Sequence, residues 1–477
     1  MVTTGDTPFQ EVPGKAPDLM GELDIAVFGY EETEFLFEGR AASYELRGDR
    51  GEDGKWDVTP GAEADFRTRF LVRRPSDPLR FSGTVVVEWN NVSAGIDGSP
   101  DWSLFHRYLA AQGHVWVGVS AQKVGIDGGG FVEGIHLKVL APDRYETLGH
   151  PGDAWSFDIF SQAGALMKRP VGENPLGGLQ PRHVVAVGES QSAACLVTYI
   201  NAVDPLARVF DGFFVHGRPG LGVTINGVFT PTARNLEMTE VTRAISDGGE
   251  RIRADVRVPV LVFQSETDVI LLGGGKADQP DTDRVRVWEL AGAAHADTYI
   301  VSAGRHDDGT LSGARLAELL RPTSDLMIGK TGSPINAGPQ QHYVGQAALA
   351  HLVRWVADGT PPPRASRLAQ NEERTGFRLN AHGNALGGIR TPWVEVPTAV
   401  LSGLGQTGEV FALLFGRTEP FDDAALSALY PGGKSEYLDR FTASLDATIA
   451  AGFLLAEDRA EILGVAAASY PLVVVGS

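Results

Sequence analysis

Cysteine is almost absent from this chain: Cys195 is the only one among 477 residues. A single cysteine excludes an intrachain disulfide, so packing and hydrogen bonds must hold the fold together. The scarcity of cysteine also fits a reducing compartment. Because Cys195 falls in a segment whose apolar residues have helical spacing, we expect a small buried side chain and not a catalytic thiol.

The sequence also lacks long apolar runs and an excess of positive charge. No apolar run approaches the ~20 residues of a membrane-spanning helix. Residues 1–21 lack the basic and apolar segments of a signal peptide. With 60 acidic and 41 basic residues, the formal net charge is −19, which disfavours nucleic acids and anionic membranes as partners. We therefore expect a cytoplasmic protein whose partner is a small molecule.

The composition is otherwise that of an ordinary globular protein, with 43% hydrophobic and 21% charged residues. Up to residue 80, several segments carry the alternating, β-branched and aromatic residues of strands. These segments are 22–30, 33–46 and 66–74.

Beyond residue 80, short apolar strands alternate with helical segments. The predicted strands are 83–89, 114–120, 184–187, 210–216, 258–263 and 285–290. The predicted helices are 102–112, 153–168, 191–203, 341–357 and 458–468. This order predicts an α/β fold: a mostly parallel central sheet with an antiparallel N-terminal edge and helices on both faces.

Two long segments interrupt this alternation. Residues 217–257 are rich in Gly, Pro and charge and form a possible lid insertion. Residues 358–376 have the proline and charge content of a linker. Beyond the linker, apolar residues form one helical stripe: Leu438, Phe441, Leu445 and Ile449. We therefore expect a main domain over 1–365 and a C-terminal helical extension over 366–477 that packs on it.

Ser190 lies where a predicted strand meets a predicted helix. The strand 183–187 is rich in Val and ends at Gly188, and the helix begins at Gln191. A serine on a strained turn between strand and helix presents its hydroxyl above the sheet, as in a nucleophile elbow. The turn needs small residues on both sides, which Gly188 supplies fully and Ser192 nearly. The alternative is an ordinary serine in a strand–helix turn.

A serine nucleophile needs a base, and the base needs an orienting carboxylate. The chain offers them in the order Ser, acid, His, each after the carboxyl end of a later strand. His295 follows strand 285–290 and is the predicted base. Two carboxylates follow strand 258–263: position favours Asp268 as the acid, with Glu266 as the alternative. The other one would support the site or cap the next helix.

The oxyanion of an acyl-transfer reaction needs two preorganised N–H donors. We expect one from the backbone of Gln191, at the N-terminus of the elbow helix. The other should come from the loop after the first parallel strand, at Asn90 and Asn91. A polar asparagine turn is the alternative for that loop. Glu88, in the apolar strand just before it, is either paired near the site or simply at the strand end.

Motifs for other chemistries are incomplete. Residues 403–408 match G-x-G-x-x-G, but no βαβ unit follows and a hairpin turn is the better interpretation. Residues 271–276 lack the first Gly and the Ser/Thr of a phosphate-binding loop. The 11 histidines show neither H-E-x-x-H nor pairing with cysteine, so we expect no metal and no cofactor.

Longer blocks resemble the α/β-hydrolase superfamily and, more narrowly, a family of bacterial α/β-hydrolase domain proteins. GESQS at 188–192 is also similar to the GESAG of carboxylesterases, with Ser192 in place of the final glycine. The blocks that carry the family resemblance are VVVEWNNVSAG (85–95), HVWVGVSAQKVG (114–125), HPGDAWSFDIFSQA (150–163), VGESQSA (187–193), FDGFFVHGR (210–218), FQSETD (263–268), LAGAAHAD (290–297) and GNALGGIRTPWVEVP (383–397).

The resemblance implies an α/β-hydrolase fold, with a catalytic domain over 1–365 that cleaves a carboxylic ester through an acyl-enzyme. It implies that Ser190 is the nucleophile, His295 the base, and a residue of 263–268 the acid. Two alternatives stay open. The same triad could serve an acyltransferase or a lyase, and a hydrolase scaffold could serve as a non-catalytic binding protein.

Overall fold

A mixed sheet is the main feature of the computed structural model, which describes residues 8–17, 23–130, 132–170, 173–227, 248–326, 329–408 and 411–471. The described sheet has nine strands in the order β1-β2-β3-β5-β4-β6-β7-β8-β9. They are β1 (Phe9–Val12), β2 (Tyr30–Arg47), β3 (Asp57–Pro75), β4 (Thr84–Trp89), β5 (Val115–Val119), β6 (His183–Glu189), β7 (Gly212–His216), β8 (Val260–Ser265) and β9 (Val285–Leu290).

The strands divide the sheet into an antiparallel edge and a parallel body. β1, β2 and β3 pair antiparallel with each other, and β3 pairs antiparallel with β5. From β5 through β4, β6, β7 and β8 to β9, all neighbours are parallel. The predicted mostly parallel sheet with an antiparallel N-terminal edge is therefore confirmed. The carboxyl ends of parallel strands meet at one edge, which is where such folds bind ligands.

Helices cover both faces of this sheet. The α-helices are α1 (Pro100–Ala111), α2 (Lys123–Asp127), α3 (Leu137–Leu140), α4 (Pro142–Tyr145), α5 (Ser156–Lys168), α6 (Gln191–Thr198), α7 (Asp204–Ala207), α8 (Glu266–Ile270), α9 (Thr298–Val301), α10 (Gly313–Leu319), α11 (Gln340–Asp358), α12 (Pro392–Glu395), α13 (Asp423–Leu429), α14 (Gly433–Ala450) and α15 (Arg459–Ala468).

Shorter elements complete the described structure. A π-helical turn, Tyr199–Val203, continues α6. The 3-10 turns are Ile25–Phe28, Pro78–Arg80, Asp153–Trp155, Gly274–Ala277, Ala303–Arg305, Ala412–Phe415 and Ala456–Asp458. Two small antiparallel pairs lie outside the main sheet: β10 (Asp325–Leu326) with β11 (Gly329–Lys330), and β12 (Ala399–Ser402) with β13 (Arg417–Pro420).

The valine runs form central strands because both of their faces are buried. In β4, Val85 and Val87 enter one core while Val86 enters the other, on the opposite face. Side chains of successive strand residues point to opposite faces, so a strand covered on both sides needs a continuous apolar run. Phe160 of α5 packs in the first core, and Phe105 of α1 packs in the second.

One predicted strand is wrong. The sequence predicts a strand over 22–30, but Ile25–Phe28 forms a 3-10 turn. The Asp24 carboxylate accepts the N–H of Ala26 at 3.0 Å, which caps the turn at its start. Gly29 ends it in the left-handed region, with φ 69°. The local cap therefore outweighs the strand-like composition of this segment.

The segment after residue 365 packs against the main sheet and its core. Ile389 bonds along the end of β9, accepting from Ala291 at 3.0 Å and donating to Glu289 at 2.7 Å. Phe441 and Leu445 of α14 are completely buried in the core that also contains α1. The division into 1–365 and 366–477 stays a prediction.

The possible lid over 217–257 lies partly outside the described residues, since 228–247 are not among them. Of the helices in the described part of the chain, none combines the length and the apolar character that crossing a bilayer requires.

Candidate active site

Ser190 sits on the sharp turn between β6 and α6. Its backbone has φ 60° and ψ −116°, a region that a residue with a side chain rarely adopts. The turn is fixed by the N–H of Ser190, which donates to the carbonyl of His216 at 2.8 Å. A Cβ on Gly188 would lie 3.1 Å from the Cβ of Ser192, so a larger residue at 188 would crowd the turn. The geometry is that of the predicted nucleophile elbow, with Ser192 tolerated.

His295 lies just beyond β9 with its imidazole over the elbow. Its Nε2 is 2.9 Å from the Ser190 hydroxyl oxygen. Its backbone is held on both sides: the N–H donates to the Thr267 hydroxyl at 3.2 Å, and the carbonyl accepts from the Gln341 side chain at 3.2 Å. The imidazole is thus positioned within hydrogen-bond reach of the hydroxyl, as base catalysis requires.

Asp268 is the carboxylate that contacts His295. One oxygen lies 2.6 Å from Nδ1 of the imidazole, and the other accepts the backbone N–H of Ser265 at 2.6 Å. The Asp268 N–H in turn donates to the Ser265 hydroxyl, and the two bonds form a capping box at the start of α8. Because both carboxylate oxygens are fixed, Asp268 holds one tautomer of His295.

Glu266, the alternative acid of the sequence analysis, points away from His295 into the chain's C-terminal part. Its carboxylate accepts the N–H of Gly292 at 2.6 Å, the N–H of Gly403 at 2.8 Å and the hydroxyl of Ser402 at 3.1 Å. Burial raises its pKa to about 7, against the effect of these donors. Glu266 therefore fastens residues 402–403 beneath the site.

Gly217 makes room for the imidazole. It follows β7 with φ 61°, and a Cβ there would lie 3.2 Å from both Nδ1 and Cε1 of His295. Both the left-handed backbone and the close approach favour glycine at this position. Gly217 was not predicted from the sequence, although a glycine directly after the strand beside the nucleophile was a signal that could have identified it.

The predicted oxyanion donors differ in whether their backbone N–H groups already have an acceptor. Gln191 is the first residue of α6, so its N–H has no acceptor within the helix and faces the turn at Ser190. The N–H of Asn90 instead donates to Val119 at 3.1 Å, and that of Asn91 donates to Gly98 at 2.7 Å. Those two groups are engaged in this conformation, and neither is free to donate to an oxyanion.

The Asn91 side chain reaches the elbow instead. Its amide Nδ2 donates to the Glu189 carbonyl at 2.9 Å and to a Glu189 carboxylate oxygen at 3.2 Å. The asparagine loop therefore fixes the residue just before the nucleophile.

Glu88 is paired near the site, one of the two possibilities that the sequence leaves open. Its carboxylate accepts the backbone N–H groups of Asp101 and Trp102, both at 2.9 Å, at the N-terminus of α1. Asp101 in turn lies 2.8 Å from Nδ1 of His216. Burial lowers the pKa of His216 to about 4, so this imidazole is neutral near pH 7. Glu88 and Asp101 are thus linked through His216 to the turn at Ser190.

Glu189 is a residue of the candidate site that was not predicted from the sequence. Its carboxylate oxygen Oε1 lies 3.0 Å from Nε2 of His295, the nitrogen that also faces Ser190. Burial disfavours a charged imidazole, but the Glu189 and Asp268 carboxylates outweigh that effect and raise the pKa of His295 to about 10. The available signal was a carboxylate at the end of an otherwise apolar strand, directly before the nucleophile.

Away from the site, Asp307, His342 and Glu461 place three potential metal-ligand atoms within 4.8 Å of one another. Arg107 already occupies this cluster, with Nη1 3.1 Å from Asp307 and 2.5 Å from Glu461. A cation is thus built into the cluster, which gives no reason to place a metal there. Cys195 is buried in α6 and burial raises the pKa of its thiol, which keeps it in the unreactive thiol form.

The chain belongs to the family described as "alpha/beta hydrolase domain", whose model matches residues 2–464. This match covers nearly the whole chain and confirms the resemblance found in the sequence. Among curated proteins, no significant match to the chain was found.

Several solved structures are similar to it at low identity. An esterase of Pyrococcus furiosus is 8% identical, with 57% of this chain and 86% of that chain covered and a TM-score of 0.30. A dienelactone hydrolase of Anabaena variabilis is 11% identical, with 47% and 79% covered and a TM-score of 0.26. An acetyl xylan esterase of Paenibacillus sp. R4 is 10% identical, with 59% and 82% covered and a TM-score of 0.29.

Proposed function

We propose that this protein is a serine hydrolase that cleaves carboxylic esters through an acyl-enzyme. The observation that carries the proposal is one continuous chain of contacts: Ser190 to His295 at 2.9 Å, and His295 to Asp268 at 2.6 Å. A hydroxyl, an imidazole and a buried carboxylate in this order are the parts needed to activate a serine hydroxyl.

In the proposed reaction, Ser190 attacks the ester carbonyl while its proton moves to Nε2 of His295. The Gln191 N–H donates to the oxyanion, helped by the positive end of α6. His295 then gives the proton to the leaving alcohol, and the acyl group stays on Ser190. Water repeats the cycle: it loses a proton to His295, attacks the acyl carbon, and the proton returns to the Ser190 oxygen.

The charges around the elbow favour neutral or cationic esters as substrates. The Glu189 and Asp268 carboxylates both contact His295, whose imidazole lies beside the Ser190 hydroxyl, and the chain as a whole has a formal charge of −19. An anionic acyl group would be repelled both on approach and at the site.

Two measurements on the purified protein test this function. A fluorophosphonate probe should label the protein at Ser190, and S190A should stay unlabelled. A panel of p-nitrophenyl esters of increasing acyl length should show turnover. Absence of both labelling and turnover would leave a binding protein on a hydrolase scaffold. Transfer of the acyl group to an added alcohol, faster than to water, would indicate an acyltransferase.

The charge preference has its own comparison. Neutral p-nitrophenyl butyrate should be hydrolysed faster than the mono-p-nitrophenyl ester of succinic acid, which has a similar length and one negative charge. Added salt should narrow the difference, since it screens exposed charges. Equal rates at low salt would contradict the proposed preference.

A further inference from the structure

Nε2 of His295 has two oxygen neighbours where the proposed reaction needs one. The Ser190 hydroxyl lies 2.9 Å away and the Glu189 carboxylate lies 3.0 Å away. The Glu189 side chain is 9% exposed, so water screens this contact weakly. The other carboxylate oxygen of Glu189 accepts a hydrogen bond from the Asn91 side chain at 3.2 Å. These two contacts therefore fix the Glu189 carboxylate next to the His295 imidazole.

The protonation state of Nε2 decides whether His295 can accept a proton from Ser190. Asp268 fixes one hydrogen on Nδ1, so Nε2 carries either a lone pair or a second proton. A lone pair facing an ionised carboxylate at 3.0 Å is unfavourable, whereas an N–H between the two is a charge-assisted hydrogen bond. The contact therefore stabilises the doubly protonated imidazolium, in which Nε2 cannot accept the Ser190 proton.

The other groups around this pair add negative charge or none. Asp268 of α8 contacts Nδ1, Asp101 of α1 lies next to His216 of β7, and His216 is neutral near pH 7. In the part of the chain that the structure describes, no lysine or arginine forms an ion pair with Glu189. His295 is thus the cation that balances Glu189.

We infer that Glu189 is a second carboxylate on the catalytic base, which shares the Nε2 proton of His295 and sets the pH range in which Ser190 is activated. The inference rests on the proposed function of Ser190 and His295. At low pH, Nε2–H donates to Glu189 and no base is available. Once that proton has gone to solvent, Nε2 accepts the Ser190 proton, and Glu189 then stabilises the imidazolium that forms.

Two opposite effects on rate follow from this arrangement. Glu189 raises the pKa of His295, so the free base appears at higher pH than with Asp268 alone. Glu189 also stabilises the imidazolium of the transition state, so it raises the rate once the base is free. Removing its charge should therefore move the acid limb to lower pH and lower the rate on the alkaline side.

The test is the pH dependence of kcat/KM for p-nitrophenyl acetate, corrected for spontaneous hydrolysis. In E189Q the midpoint of the acid limb should move to lower pH by ~1 unit or more. Its alkaline plateau should be about tenfold lower. E189D keeps the charge and should keep the limb near its wild-type position. E266Q removes another buried carboxylate that does not contact His295, and should also keep the limb.

Damage to the fold would lower the whole profile and would not move the midpoint of the acid limb. If E189Q and E189A both keep the wild-type limb within ~0.3 unit, a factor of two, the inference is wrong. If E189Q fails to fold, E189A and E189D carry the same comparison.

A second readout does not need turnover. Protein with ¹⁵N-labelled histidine, with the His295 signals assigned from H295Q, reports the titration of Nε2 directly by NMR. E189Q should lower the pH of that titration by the same interval as the acid limb. An unshifted titration would overturn the inference. A shifted titration in a protein that neither hydrolyses esters nor reacts with a fluorophosphonate would support the contact and reject the proposed function.

Discussion

As the proposed nucleophile and base, Ser190 and His295 should act as one unit, so the rate losses caused by removing each side chain should not be additive. S190A should lower kcat for p-nitrophenyl acetate by ~10⁶, as removal of the nucleophile does in comparable triads. H295A should cost nearly as much, and the double variant no more than either single one. The folded state should be unchanged, since Ser190 is half-buried and its side chain is small.

Initial rates with the three variants test this, and thermal unfolding serves as the control for the fold. A variant of Ser190 that retained a tenth of the wild-type rate would remove Ser190 from the mechanism. Additive losses in the double variant would mean that His295 acts on substrate binding and not on Ser190.

The two carboxylates of α8 should separate catalysis from stability. D268N replaces the group that fixes Nδ1 of His295 at 2.6 Å, and an amide there can hold the wrong tautomer, at a cost of ~10⁴ in turnover in a serine protease. E266Q leaves that contact intact. It weakens the bonds to Gly292 and Gly403, so it should lower the unfolding temperature with kcat changed less than about threefold.

Turnover and melting curves of the two variants give the comparison. The reverse ranking, with turnover lost in E266Q and retained in D268N, would transfer the acid role to Glu266.

At the scale of elements, the strand ends set how closely the catalytic loops approach each other. β7 ends at His216, and Gly217 then turns in the left-handed region, where a Cβ would lie 3.2 Å from the His295 ring. G217A should add a methyl 3.2 Å from the imidazole and move it off the Ser190 hydroxyl. We expect kcat to fall by ~10²-fold, since a displacement of ~1 Å costs about that much.

Gly178 provides a matched control for that variant. It has a similar left-handed backbone, with φ 88°, and nothing lies within 4 Å of the Cβ position. G178A therefore carries the backbone strain of about 1 kcal/mol without a clash, and should lose stability but not turnover. Equal effects of G178A and G217A on kcat would mean that contact with His295 is not the cause.

The same strand ends explain how much of the fold the sequence could predict. The Val-rich runs identify β4, β6 and β8 because strands buried on both faces must be continuously apolar. The strand predicted over 22–30 is wrong because one capping carboxylate, Asp24, decides that segment. Composition averages over a window and does not detect a single side-chain-to-backbone bond.

The site was predictable to the extent that it follows strand order. Ser190, Asp268 and His295 come together because the carboxyl ends of β6, β8 and β9 lie at one edge of the sheet. Glu189 was not predictable in the same way. Its orientation depends on its rotamer and on Asn91, 98 residues earlier in the chain, and strand order specifies neither.

At the scale of the whole molecule, the C-terminal part contacts the sheet edge that carries the proposed site. Ile389 extends the hydrogen bonding of β9, the strand that leads to His295. Gly403 donates to Glu266, two residues before Asp268. The strand before the base loop and the acid loop therefore contact residues 100 and 137 positions further along the chain (389 − 289 and 403 − 266), and we expect folding of that part and assembly of the site to be coupled.

A protein that ends at Gly376 should accordingly be insoluble or inactive. It would lose the bonds from Ile389 and Gly403 and expose the apolar surface that Phe441 and Leu445 cover. Burial of these two side chains alone contributes about 3–6 kcal/mol, a large part of the net stability of a domain. Soluble yield, the unfolding transition and ester turnover of the 1–376 protein measure the effect.

The full-length F441A variant separates loss of packing from loss of the contacts at the site. A large-to-small change at a fully buried position costs about 3–5 kcal/mol, so F441A should unfold at a lower temperature. It keeps Ile389 and Gly403 in place, so below its transition it should turn over at the wild-type rate. A soluble and fully active 1–376 protein would show that the C-terminal part is independent of the catalytic edge. Loss of turnover in folded F441A would mean that packing around α14 reaches the site by a route other than these two contacts.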